Sequence, residues 1–166
     1  MLDIRKIALE VELAQQPLWV DRWHNWVLVQ ELSGEERSGL LESCTTVIKV
    51  GNKREGKVNL KKLYPMLAVM SLRYPVPDVI PDSSDPHYAE YPGVNGNPVH
   101  EKAGQLIFSS EDLIALNKRS GAILELISKP ASILSGLREE DIEEKKEPSG
   151  EIEEPNTVES TGYVIE

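Results

Sequence analysis

Cysteine is nearly absent, phenylalanine occurs once, and no long apolar run interrupts the 166 residues. Each scarcity excludes something. Cys44 has no second cysteine to pair with, so an intramolecular disulfide is impossible, which fits a reducing compartment. No apolar stretch approaches the ~20 residues that a membrane-spanning helix needs. Residues 1–16 carry charges at Asp3, Arg5, Lys6, Glu10 and Glu12, so they do not read as a signal peptide. These features predict a protein used in the cytoplasm, away from membranes. Basic charge is scarce as well. Residues 138–166 hold eleven acids and three bases, while 1–137 hold seventeen acids and fifteen bases. A surface for nucleic-acid phosphates needs a basic patch, and none stands out.

Catalytic signals are equally thin. The glycine-flanked turn GNKREG at 51–56 lacks the spacing and the Lys-Ser/Thr pair of a phosphate-binding loop, and reads as a solvated connector. His87, Glu90, His100 and Glu101 match no metal-ligand spacing. No nucleophile comes with a plausible base. The sequence therefore predicts no catalytic residue, no cofactor and no metal: a binding protein, not an enzyme.

What the chain does have is helix pattern, strongest over 108–137. Leu113, Leu116, Ser120, Ile123, Ile127, Ala131 and Leu134 recur every three or four residues and form one apolar stripe. Ser109 and Asp112 are placed to form a capping box, with Phe108 as a hydrophobic staple. Asn117, Lys118 and Arg119 read as a helix end, and Ser120 as the cap of a second helix. This predicts a short helix near 110–117 and a longer one near 121–135, with Pro130 a point of kink or stop. The stripe reads first as core. Its functional reading is a groove for a partner helix.

Upstream, 3–16 fits either a helix face or a strand. Residues 18–20 and 26–30 predict a β-hairpin around a five-residue loop, with Trp26, Leu28 and Gln30 on one face and Val27 and Val29 on the other. Trp19, Trp23 and Trp26 either cover the core of this small sheet or supply a binding hot spot. Ser33 and Glu36 form a capping box for a helix expected over 34–48, with Cys44 a buried, inert thiol on its apolar stripe. Asn59 caps another helix reaching about Tyr74. Residues 75–105 hold six of the eleven prolines and no period. A loop of that length is functional or disordered. Beyond Leu137 the acidic composition cannot bury enough apolar surface to fold alone. The expected architecture is an α+β fold, mainly α: a small N-terminal β-hairpin packed with about four helices. It comprises one folded domain at 1–137, a Pro-rich insertion at 75–105 and a disordered acidic tail at 138–166.

The order of these motifs resembles a known family. A Trp-bearing hairpin leads into ELSGEER at 31–37. A helix begins near VNLKKL at 58–63. Then come LIFSSEDLIALNKRSGAILELI at 106–127 and ILSGLREEDIEE at 133–144. Together these resemble the tail assembly chaperones of long-tailed bacteriophages and prophages, over 17–74 and 106–144 but not over the insertion. The specificity lies in order and spacing, since each motif is short. The resemblance implies a chaperone that binds the long helical tape measure protein in the host cytoplasm and helps bring tail tube protein to it. Such a chaperone is absent from the mature virion and has no catalytic residues. A homo-oligomer is compatible with this role. The competing expectation is a minor tail or head–tail connector protein that stays in the particle. For partner contact the expected residues are Trp19, Trp23, Trp26, Leu113, Leu116, Ile123 and Ile127.

Overall fold

The computed structural model describes residues 12–119 and 121–137. The expected acidic tail at 138–166, the start of the 3–16 segment and the Ser120 cap lie outside them.

Strand β1 (Gln15–Val20) pairs antiparallel with β2 (Asn25–Gln30), Trp19 opposite Trp26. The turn between them is a single 3-10 turn, Asp21–Trp23, closed by His24 at φ 45°. Strand β5 (Leu72–Arg73) adds to the far side of β2, giving a three-stranded sheet in the order β1-β2-β5. Trp26, Val27, Leu28 and Val29 are all buried, so β2 is covered on both faces. Val27 and Val29 join the core formed with the helices. Trp26 meets the insertion instead.

Helix α1 (Gly34–Cys44) opens on the expected capping box: the Ser33 hydroxyl accepts from Glu36 N–H at 3.2 Å, and the Glu36 carboxylate accepts from Ser33 N–H at 2.8 Å. It ends four residues earlier than the pattern predicts. Thr45, Thr46 and Val47 leave the helix and start β3 (Thr45–Val50), which returns through Gly51-Asn52 into β4 (Lys53–Val58). The presumed solvated connector 51–56 is therefore a turn and most of a strand. β-Branched side chains lose rotamer freedom in a helix and favour a pleated strand. A glycine at φ 62° in a two-residue turn fixes the hairpin.

Helix α2 (Leu60–Ser71) is capped by Asn59, whose side chain accepts from Lys61 N–H at 3.1 Å. Helix α3 (Leu113–Asn117) follows a 3-10 turn, Ser110–Asp112, and α4 is Gly121–Leu134. These match the two expected helices closely. The α4 helix continues through Pro130. It stops at Gly136, φ 65°, where Gly136 N–H bonds Ile133 O and Leu137 N–H bonds Ser132 O. That paired pattern, with Leu137 buried, is a Schellman end. Helix α4 packs along α2, and Ser128 Oγ donates to Tyr64 O at 2.8 Å between them. Leu63, Leu67, Ala68, Ile127 and Ala131 form the centre of the core.

The expectation of a mainly α fold fails. Among the described residues the structure is 43% helical and 22% strand, with two small sheets and four helices. The second sheet, hidden in what reads as a helix end and a basic turn, makes the difference.

Candidate functional site

The Pro-rich segment 75–105 is packed, and it builds one wall of a cleft. Its two ends meet: Tyr74 N–H bonds Gln105 O, and Gly104 N–H bonds Tyr74 O, both at 2.9 Å. Arg73 Nη1 donates to Gly104 O at 2.9 Å. Inside, Tyr91 is fully buried and its hydroxyl lies 3.0 Å from Val76 O and 2.6 Å from Val79 O, within donating distance of both. Burial pushes the Tyr91 hydroxyl pKa up to about 12. The Asn97 amide holds Ala89 O and Tyr91 O. An aperiodic loop is thus fixed by one anchored ring and a set of backbone bonds.

Aromatic stacking joins this loop to the first hairpin. Trp26 donates its indole N–H to His87 O at 3.1 Å and meets Tyr91 edge-on at 5.3 Å. Trp19 stacks flat on His87, with ring centres 4.0 Å apart and 10° from parallel, and its indole N–H bonds Asp21 at 2.7 Å. Tyr74 stacks on His100 at 4.1 Å. His87 and His100 are therefore each paired with a different aromatic ring. Among the described residues no group of three or more His, Cys, Asp or Glu could hold a metal.

Between the hairpin turn, the insertion and α4 lies a half-open cleft of about 1110 Å³. Trp23, Trp26, Leu116, Ile123 and Ile127 line it, which brings together five of the seven residues expected to contact a partner. Trp19 and Leu113 do not line it. Trp19 is spent on His87 and Trp26. Trp23 is the most open of the three tryptophans, 37% exposed, with its ring edge-on to Phe108 at 6.2 Å.

Sequence reasoning missed half of the wall. Pro92, Pro98 and Val99 from the insertion, and Ile107 and Phe108 after it, line the cleft opposite α4. The proline density alone could have suggested a rigid wall, but nothing in the sequence says which side of it faces inward. Arg22, Lys118 and Arg119 also line it and are exposed, so its mouth is cationic although the whole chain is acidic. The arrangement is apolar inside and positive at the edge. It suits an amphipathic segment whose apolar stripe is flanked by carboxylates.

Cys44 is buried, its thiol 3.8 Å from Met66 Sδ. Burial raises its pKa, only partly offset by Lys62, so it stays a protonated thiol packed among apolar side chains. No helix among the described residues is long and apolar enough to cross a membrane. Comparison with protein-family models, curated proteins and solved structures yields no match.

Proposed function

We propose that the chain is a non-catalytic chaperone of bacteriophage tail assembly, holding an apolar helical segment of the tape measure protein and helping recruit tail tube protein in the host cytoplasm. The observation that carries this reading is the cleft lined by Trp23, Trp26, Leu116, Ile123 and Ile127, in which Trp23 and Ile123 are the accessible members and Trp26, Leu116 and Ile127 form the buried floor. A tape measure chain is a long helix whose apolar face needs cover until the tube exists. The cleft offers that cover without chemistry. The family attribution rests on the order of sequence motifs at 17–74 and 106–144. The insertion adds a wall to the cleft that the resemblance does not account for.

Reversibility follows from the same geometry. The cleft is half open, so a bound helix keeps one face in solvent and can be handed to tube subunits. Its cationic mouth favours clients with acidic flanks and selects against basic ones.

The test is a pull-down of the purified tape measure protein by the full chain. Trp23→Ala should weaken capture about tenfold or more, as loss of an aromatic hot spot does, while circular dichroism stays unchanged. Undiminished capture removes the cleft from the proposal. Mass spectrometry of purified particles separates the competing role: a retained protein is a minor tail or connector component, and an absent one is a chaperone.

A further inference from the structure

The β3–β4 sheet stands apart from the core. Every residue of β3 is exposed, Val47 at 66%, and all of β4 except Val58 is exposed too. Neither outer edge bears a further strand among the described residues. A lone two-stranded hairpin is marginal in water, and an open edge is a template for another strand.

Its chemistry narrows the choice of that strand. The hairpin carries Lys49, Lys53, Arg54 and Lys57 against Glu55 alone. Lys49 sits directly opposite Arg54 across the ladder. Like charges so placed destabilise a sheet unless an anion lies between them. Val47 lies on the same face as that pair, and Ile48 and Val50 on the other. An edge of this kind fits a strand with carboxylates and β-branched or aromatic side chains. A second copy of the hairpin would bring the same four cations and be repelled. Nucleic acid would meet the cations but would not pair the open backbone groups of the edge.

The chain carries a sequence of this kind itself. Residues 147–166 hold six carboxylates and no lysine or arginine. Within them, 157–166 reads TVESTGYVIE, in which Thr157, Val158, Thr161, Tyr163, Val164 and Ile165 all favour strands. Thr157 lies twenty Cα–Cα steps beyond Leu137, a span of up to roughly 66 Å. A domain of this size has a radius of gyration of about 14 Å, so the segment reaches any point on it. We propose that residues 157–166 add as a third strand to the free edge of β4 in the same chain. The carboxylates upstream come within reach of β4, which carries three of the four cations, Lys53 and Lys57 on one face and Arg54 on the other. The hairpin is then a docking surface for the acidic tail, separate from the cleft.

The test uses the full chain, isotopically labelled with nitrogen-15, with a nitroxide attached at Ser160→Cys. Cys44 is buried and stays unlabelled. Paramagnetic broadening should fall on the amides of Lys53–Val58, and should persist when the sample is diluted with unlabelled chain. It should shrink several-fold in Lys53→Glu with Arg54→Glu. It should shrink equally in Glu151→Lys with Glu153→Lys and Glu154→Lys, which leaves the hairpin untouched. Broadening around Arg22, Lys118 and Arg119 instead places the tail at the cleft and overturns the proposal. Broadening seen only between nitroxide-bearing and separately labelled chains assigns the strand to a second copy and overturns it too. So does a spectrum with no broadening, and hairpin shifts on adding a short DNA duplex would then name the other occupant.

Discussion

The two hairpins have ladders of equal length and opposite fates. Each pairs six residues with six in antiparallel register. The central strand of the first reads NWVLVQ and the first strand of the second reads TTVIKV, so both carry apolar side chains. Yet Trp26 to Val29 are buried and Thr45 to Val50 are exposed. Backbone pairing therefore does not decide which strand belongs to the core. What surrounds the strand does. β5, the helices and the insertion all close over β2, while the chain leaves β4 straight into α2 and nothing among the described residues returns over it.

The sharpest way to break this comparison is a matched pair of substitutions. Leu28 is fully buried and Ile48 is exposed. Leu28→Ala should cost about 2–5 kcal/mol, the range for emptying a packed site. Ile48→Ala should change stability by no more than about 0.5 kcal/mol, as surface changes do. Urea unfolding measures both. Equal losses would mean that the second hairpin is packed as tightly as the first.

The next effect concerns the loop that closes over the first hairpin. Tyr91→Phe leaves Val76 O and Val79 O without their shared donor, a loss of about 1–3 kcal/mol for buried acceptors. The same hydroxyl sets an alkaline limit. Its pKa is raised from 10.0 to about 12 in the folded chain. Between those values the unfolded chain loses this proton and the folded one keeps it, so its contribution is complete below pH 10 and falls as pH approaches 12. Cys44 and Tyr64 are raised by burial as well and act in the same direction. The alkaline decline in stability should thus be shallower, though still present, in Tyr91→Phe. An identical profile would show that the Tyr91 hydroxyl does not contribute to the alkaline limit.

How much of this was legible follows from the same contrast. Helix signals that depend on local chemistry could be read directly: the Ser33–Glu36 box, the Asn59 cap and the paired helices after Phe108. The apolar stripe likewise led to Leu116, Ile123 and Ile127 in the cleft. Two things were not legible. The run from Leu40 to Ile48 keeps helical spacing past Cys44, so periodicity concealed the switch to a strand. Gly51-Asn52 reads as a turn, but its basic flanks do not announce the two strands that it joins. The insertion has no period because it is held by Tyr91 and by backbone bonds between distant residues, and long-range bonds leave no local pattern. For that reason Pro92, Pro98 and Val99 could not be assigned to the cleft.

The glycine of the second hairpin's turn gives the smallest and most local test. Gly51 sits at φ 62°, where an alanine meets no atom but is strained by its own backbone. A side chain in this region costs roughly 1–2 kcal/mol. In Gly51→Ala the cost should fall on the hairpin alone, because β3 and β4 contribute little to the core. Amide exchange across Thr45–Val50 should accelerate about tenfold, the equivalent of ~1.4 kcal/mol. Exchange at Val27 and Val29 and the urea midpoint should stay where they are. If the midpoint fell with the hairpin, the two sheets would unfold as one cooperative unit. Exposure would then be a poor guide to independence, because a ladder standing in solvent would still be coupled to the core through Cys44 O and Asn59 N, whose 2.8 Å bond closes its base.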